Sequence, residues 1–138
     1  MKLAKLALPL VALFGVTGCF SGTQVINTNF SCLTGSKQMD NKHFKFTCTQ
    51  CTGQSLWMFT IKDSGWDKIE VKINITNETI TEETFGFALL NANNETLYAK
   101  QLTESTFEES IAHNGAGKYR VAIQCKKFSG SYTFTWAS

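Results

Sequence analysis

Cys48-Thr49-Gln50-Cys51 is the spacing at which two thiols can exchange a dithiol for a disulfide. That chemistry works when the pair opens a helix, whose N-terminal amides lower the pKa of the first thiol. The flanks here offer no such helix. Phe44-Lys45-Phe46-Thr47 alternates like a strand, and Thr52-Gly53-Gln54 reads as a turn. No succession of strands and helices follows it. A zinc site built from cysteines is a second reading, but such sites commonly use two paired CxxC knuckles and this chain has one. Structural disulfides are the third, and the one favoured if the chain is exported.

Other reactive side chains are scattered. His43 and His113 stand 70 positions apart, one at a strand start and one beside a turn, with no ligand or nucleophile motif next to either. GxSxG does not occur. Glu82 with Glu83, and Glu104 with Glu108 and Glu109, are the carboxylates from which an acid/base pair could be assembled, although carboxylates on loops and outward strand positions are ordinarily only solvated. Asp63-Ser64-Gly65-Trp66-Asp67-Lys68 places a tryptophan in a polar turn. Trp66, with Asp63 and Asp67, is therefore the candidate ligand-binding group: an exposed indole beside hydrogen-bonding side chains can stack on a sugar ring or anchor a protein. A ring folded over the edge of the core is the competing reading. No catalytic residue, resident metal or cofactor is assigned.

The elements that must position these residues are strands. Phe44, Phe46 and Cys48 alternate with Lys45 and Thr47; Trp57, Phe59 and Ile61 with Met58 and Thr60; Ile69, Val71, Ile73 and Ile75 with Glu70, Lys72 and Asn74. Phe85, Phe87 and Leu89 follow. Then Tyr119, Val121, Ile123 and Cys125 oppose Arg120, Ala122 and Gln124, and Tyr132, Phe134 and Trp136 oppose Thr133 and Thr135. Period-two alternation sends one face of each strand into a core and the other into water, and it puts Trp57 and Trp136 inside. Turns are marked by Asp63 to Gly65, Asn91 to Asn94, Asn114 to Gly117 and Ser129-Gly130, while Thr76 to Thr84 reads as a polar loop. About eight short strands with little helical pattern predict an all-β chain, an antiparallel β-sandwich of one domain without internal repeats. Pro9 is the only proline, so every strand is spared proline's missing donor.

The N-terminus has a different logic. Lys2 and Lys5 precede an apolar run of eleven residues, Leu6 to Val16. A membrane-spanning helix needs about 20, so the run matches the core of an export signal. It ends in Val16-Thr17-Gly18-Cys19, which resembles the lipobox of bacterial lipoproteins, with Val where Leu is more usual. The resemblance covers the signal segment only. It implies diacylglycerol on the Cys19 thiol, cleavage that makes Cys19 the new N-terminus, and further acylation of its amine. Two or three chains hold firmly, each buried CH2 contributing about 0.8 kcal/mol, whereas one gives reversible attachment. Phe20 and Ser21 follow the cysteine rather than Asp, which in such lipoproteins implies the outer membrane if the host has two. An ordinary secretory signal with a chance cysteine is the alternative.

Processing would leave 120 of the 138 residues, enough for one core. Lys2 and Lys5 are two of the 13 basic residues, so the part after them carries 11 basic and 11 acidic residues. No basic cluster remains to neutralise a phosphate backbone, which argues against nucleic acid. Removing Cys19 from the count leaves Cys32, Cys48, Cys51 and Cys125. Two disulfides are expected; inward phase suggests Cys48–Cys125, leaving Cys32–Cys51. The chain divides into a signal peptide, 1–18, a lipid-anchored tether, 19–42, in which Val25 to Phe30 can add an edge strand, and a sandwich, 43–138. Asn29, Asn74, Asn77 and Asn94 begin N-x-S/T sequons, which bear on a bacterial protein only as Asn- and Thr-rich strands.

Gly117-Lys118-Tyr119-Arg120-Val121 and Gly130-Ser131-Tyr132-Thr133-Phe134 resemble the closing strands of bacterial pre-peptidase C-terminal β-sandwiches, themselves similar to jelly-roll carbohydrate-binding modules. The likeness spans about the last 80 residues. It departs from the pattern where Phe85-Gly86-Phe87-Ala88-Leu89 stands in place of an aspartate-rich ligand strand, so it implies a fold more than a ligand. The expectation is a non-catalytic binding or assembly module in a bacterial envelope, held to the membrane through lipid on Cys19, with a protein or glycan partner. The alternative is a hydrolase or inhibitor domain with a site built from loops.

Overall fold

Two pairs of runs that look like separate strands in the sequence each form one long strand. The computed structural model describes residues 24–62, 67–113 and 115–137, with side chains from Phe30 onward. Cys19, the signal segment, Asp63 and Trp66 lie outside the described residues. The strands are β1 (Gln24–Ser31), β2 (Thr34–Met39), β3 (His43–Ile61), β4 (Lys68–Ile75), β5 (Phe85–Leu90), β6 (Thr96–Leu102), β7 (Thr106–Ala112) and β8 (Gly117–Thr135). All pair antiparallel. Residues 24–39, read from sequence as tether with an edge strand, form β1 and β2 against β3.

β3 and β8 pair along their whole length and bend together. Their inward residues change phase at the bend. Phe44 and Cys48 are buried on one side of it and Cys51, Trp57, Phe59 and Ile61 on the other; in β8, Tyr119, Val121, Ile123 and Cys125 give way to Phe128, Tyr132 and Phe134. An extra residue in each strand makes the change, with Gln50 and Lys127 at φ near +50°, as a β-bulge requires. Side chains of the opposite strand catch the displaced amides: Gln50 N–H donates to Ser129 Oγ at 3.0 Å and Lys127 N–H to Thr52 Oγ1 at 2.9 Å. Ser129-Gly130, expected as a turn, is part of this bend.

The bend folds one hydrogen-bonded network into two layers. The first holds β1, the second half of β3, the first half of β8, β5 and β6; the other holds β2, the first half of β3, the second half of β8, β4 and β7. Rings meet across the interior: Phe44 on Trp57 at 4.3 Å, Phe59 on Trp136 at 4.2 Å, and Phe87 on Phe134 and Phe85 on Tyr132 at 5.6 Å each. The β-sandwich and the burial of Trp57 and Trp136 stand as expected.

Two expectations are corrected. Cys32 and Cys51 form a disulfide across 19 positions, but Cys48 and Cys125 are buried thiols, so one bridge replaces the expected two. The Cys48 thiol is turned to the carbonyl of Phe128, 3.6 Å away. The second correction concerns water: Met58, Arg120 and Ala122, assigned to a solvated face, are buried.

Burial pushes the thiols of Cys48 and Cys125 up to about 12 each. Unfolded thiols ionise near pH 8.5, so from there to about pH 12 the unfolded chain gives up protons that the folded one keeps. Stability from this source is complete below the unfolded pKa and falls as pH rises, by up to about 1.4 kcal/mol per pH unit for each thiol. Urea midpoints should drop steeply above pH 9 in the parent and less steeply in Cys48→Ala/Cys125→Ala. Equal slopes would remove the thiols as the cause.

Candidate functional site

The outward face of the second layer is polar on all five strands. Register sets three rows across it. Gln38, Lys45, Thr133, Lys72 and Glu108 make the middle one, and Ser36, Thr47, Ser131, Asn74 and Thr106 lie beside it. His43, Thr135, Glu70 and Ser110 form the third. Because side chains alternate, the sequence that buries Val71, Ile73 and Ile75 necessarily turns Glu70, Lys72 and Asn74 outward. A depression of about 620 Å³ runs over Lys45, Lys72, Asn74, Ser131 and Thr133, with Phe107 and Glu108 at one wall. A smaller one of about 300 Å³ adjoins it between Glu70, Lys72, Glu108 and Ser110.

Charges on this face are spaced rather than fused. Lys72 Nζ lies 3.8 Å from Glu108 Oε1 with both side chains about 70% exposed, so the pair contributes at most about 1 kcal/mol and is free to exchange partners. Lys45 and Lys72 flank Thr133 on one row, two strand spacings or about 10 Å apart. Hydroxyls, an amide, ammonium groups and carboxylates thus present donors and acceptors over a shallow floor. This chemistry matches a ligand dense in hydroxyls.

The other candidates are placed as follows. Asp67 is exposed at the start of β4, beyond the end of the polar rows, and its carbonyl accepts from His113 N–H at 3.2 Å. Its companions Asp63 and Trp66 lie outside the described residues. His43 sits 3.1 Å from Asp40, whose carboxylate accepts the main-chain N–H groups of Lys42 and His43 at 2.7 and 2.8 Å; those bonds hold the Asp40 carboxyl below its usual range. His113 accepts from Gly115 N–H at 2.9 Å and packs edge-on against Tyr119. Both histidines are thus engaged in local turn structure. Glu82 and Glu83 lie in the turn before β5, Glu104 in the turn before β7, and Glu108 and Glu109, as strand neighbours, point to opposite sides.

The sulfur atoms of Cys32, Cys48 and Cys51 lie within 4.8 Å of one another. Two of them are spent in the Cys32–Cys51 bond, so the cluster is not a set of thiolates for zinc, and the CxxC pair is not itself bridged. The disulfide instead ties the β1–β2 junction to the bend of β3.

Sequence reasoning did not single out this face. Lys45, Lys72, Asn74 and Thr133 were legible as outward residues, but β2 and β7, which widen the face, were not legible as strands. In Thr106–Ala112 only Phe107 and Ile111 mark an inward side, four positions apart, a spacing equally suited to a helix.

No protein-family model matches this sequence, and no curated protein does. Among solved structures, the chain is similar to a low-affinity xylan-binding module, CBM86, from Roseburia intestinalis, with 15% identity over 84% of this chain and 96% of that one and a TM-score of 0.37. It is similar to the pre-peptidase C-terminal domain of collagenase from Bacillus anthracis, with 10% identity, 83% and 89% covered, and a TM-score of 0.44. The CBM51 of Clostridium perfringens GH95, solved in complex with methyl-galactose, gives 10% identity, 83% and 100% covered, and a TM-score of 0.44.

Proposed function

We propose that this chain is a lipid-anchored, non-catalytic module of a bacterial envelope that holds a glycan on the polar face of its second layer. The observation that carries the reading is the face itself: three rows of hydroxyl, amide and charged side chains over a depression of about 620 Å³. A sugar chain offers many hydroxyls and few charges, so it gains from numerous modest hydrogen bonds on a pre-formed sheet. Strand-borne side chains lose little freedom on binding. The basic start, the apolar run and Val16-Thr17-Gly18-Cys19 support attachment through lipid on Cys19, and Phe20-Ser21 favours an outer membrane in a two-membrane host.

Purified protein should be slowed in native gels containing one of a panel of polysaccharides, with xylan, chitosan, galactan and β-glucan as probes. Lys72→Ala/Thr133→Ala should weaken that interaction about tenfold for each hydrogen-bonding side chain truncated, with thermal unfolding unchanged because both positions lie on the outer face. Full binding by this variant would remove the face as the site. In parallel, Cys19→Ala should abolish fatty-acid labelling and membrane partition in a bacterial host. A labelled variant would remove the anchor and leave the glycan reading untouched.

A further inference from the structure

Residues three apart on a regular strand face opposite sides, so Cys48 and Cys51 would not meet on one. The bulge at Gln50 inserts the residue that turns both inward, and both are buried. β1 and β2 bring a third sulfur to the same place. Their pairing with β3 passes from Ser31 opposite Thr52 to Thr34 opposite Thr49, and Leu33 N–H donates to the Thr49 carbonyl at 3.0 Å. Cys32 therefore stands level with the bulge. The three sulfurs lie within 4.8 Å of one another, two joined as a disulfide and one, Cys48, a thiol. A thiol fixed at that distance from a disulfide is a nucleophile held beside its target.

Burial decides which sulfur is attacked and which departs. Cys51 is fully buried, whereas Cys32 is half-buried at the β1–β2 junction. Water stabilises a departing thiolate, and the thiol of lower pKa leaves faster, so Cys51 is attacked and Cys32 leaves. In that step the Cys48 thiol gives its proton to hydroxide, and its sulfur bonds to Cys51 Sγ as the Cys32–Cys51 bond breaks. The Cys32 thiolate then takes a proton from water. One S–S bond replaces another, so no oxidant or reductant is consumed. The bridge moves from a tie between strands, across 19 positions, to a link within β3 alone.

We infer that Cys32, Cys48 and Cys51 form a thiol–disulfide exchange centre, in which Cys48 takes over Cys51 and frees Cys32 as a surface thiol for a soft electrophile. This depends on neither the glycan face nor the lipid. Cys125 and Tyr132 of β8 are the titratable groups coupled to Cys48, and neither supplies the positive charge that would favour a thiolate. With burial holding the Cys48 thiol up at about 12, exchange is slow at neutral pH and is best followed at about pH 9, where more thiolate is present.

The test uses a Cys19→Ala parent, in which Cys32, Cys48, Cys51 and Cys125 are the remaining cysteines. The folded, oxidised protein is held with excess iodoacetamide, and non-reducing peptide maps taken over time show which sulfurs are alkylated and which are bridged. Label should accumulate on Cys32, while tryptic peptide 46–62 comes to carry an internal Cys48–Cys51 bridge. Cys48→Ala should slow the labelling of Cys32 by about tenfold or more, and Cys125→Ala should leave it unchanged. The map of the parent stands apart from any loss of folding in the variants. A parent that keeps its Cys32–Cys51 bridge overturns the inference, as does Cys32 labelled equally fast in Cys48→Ala. Label on Cys51, or a bridge to Cys125 as an unfolded chain would also give, overturns it too.

Discussion

Gly130→Ala is expected to lower the thermal midpoint by about 15 °C. Gly130 lies in the bend of β8 with φ at +146°, a region open to glycine and costly to any L side chain, by about 1–3 kcal/mol. A Cβ there would also collide with the carbonyl oxygen of Asn74 and come within 3.1 Å of the Ile75 Cα. Those atoms are main chain of the paired strand β4, so no rotamer change relieves the clash, and forced packing adds about 1–3 kcal/mol. The sum, about 4 kcal/mol, corresponds to roughly 15 °C for a domain of this size. Gly115→Ala is the control. Its φ is +106°, but nothing stands within 4 Å of the added carbon, so only the backbone strain remains. Melting points for the two variants within about 2 °C of each other would show that the close approach of β4 to β8 does not restrict position 130.

Phe134→Ala should cost about 3–5 kcal/mol. Phe134 is fully buried at the meeting of the layers. Its ring touches Trp57 at 5.2 Å, Phe87 at 5.6 Å and Tyr132 at 6.1 Å, all edge-on. Removing it loses the transfer of the ring from water and opens a cavity that strands from both layers cannot close without moving together. Urea unfolding should show the loss as a lower midpoint with unchanged slope, and Phe134→Leu should recover more than half of it. A loss below about 1.5 kcal/mol would mean that the layers repack freely and that the aromatic packing does not set their separation.

Both predictions rest on features with very different visibility in the sequence. The phase of Ile69, Val71, Ile73 and Ile75 could be read directly, because a half-buried strand must alternate, and so could the inward places of Phe134 and Trp57. The bend could not. Phe44 to Cys48 and Trp57 to Ile61 are out of phase, which reads as two strands; a single bulged strand gives the same pattern, since one inserted residue shifts the alternation without interrupting the chain.

The cysteines divide along the same line. Inward phase put Cys48 and Cys125 in the core, where the structure has them, and the remaining pair, Cys32 and Cys51, is bridged. Phase says which way a sulfur points. Whether it meets a partner depends on the local geometry of the bend, where Cys48 faces the Phe128 carbonyl.

The sequence by itself determined the strand periods, the inward residues and the balance of charge after Lys5, because these follow from alternation and composition within each segment. Only the tertiary structure decided that Lys45, Thr133 and Lys72, from three parts of the chain, share a row, since register between strands is set by pairings that no single segment contains. It also decided that the outer face of the first layer is buried while that of the second is open. Met58 and Ala122 alternate with core residues just as Lys72 and Thr133 do. Alternation within one strand is the same in both cases, so burial on that side is a property of the chain in space and not of the segment.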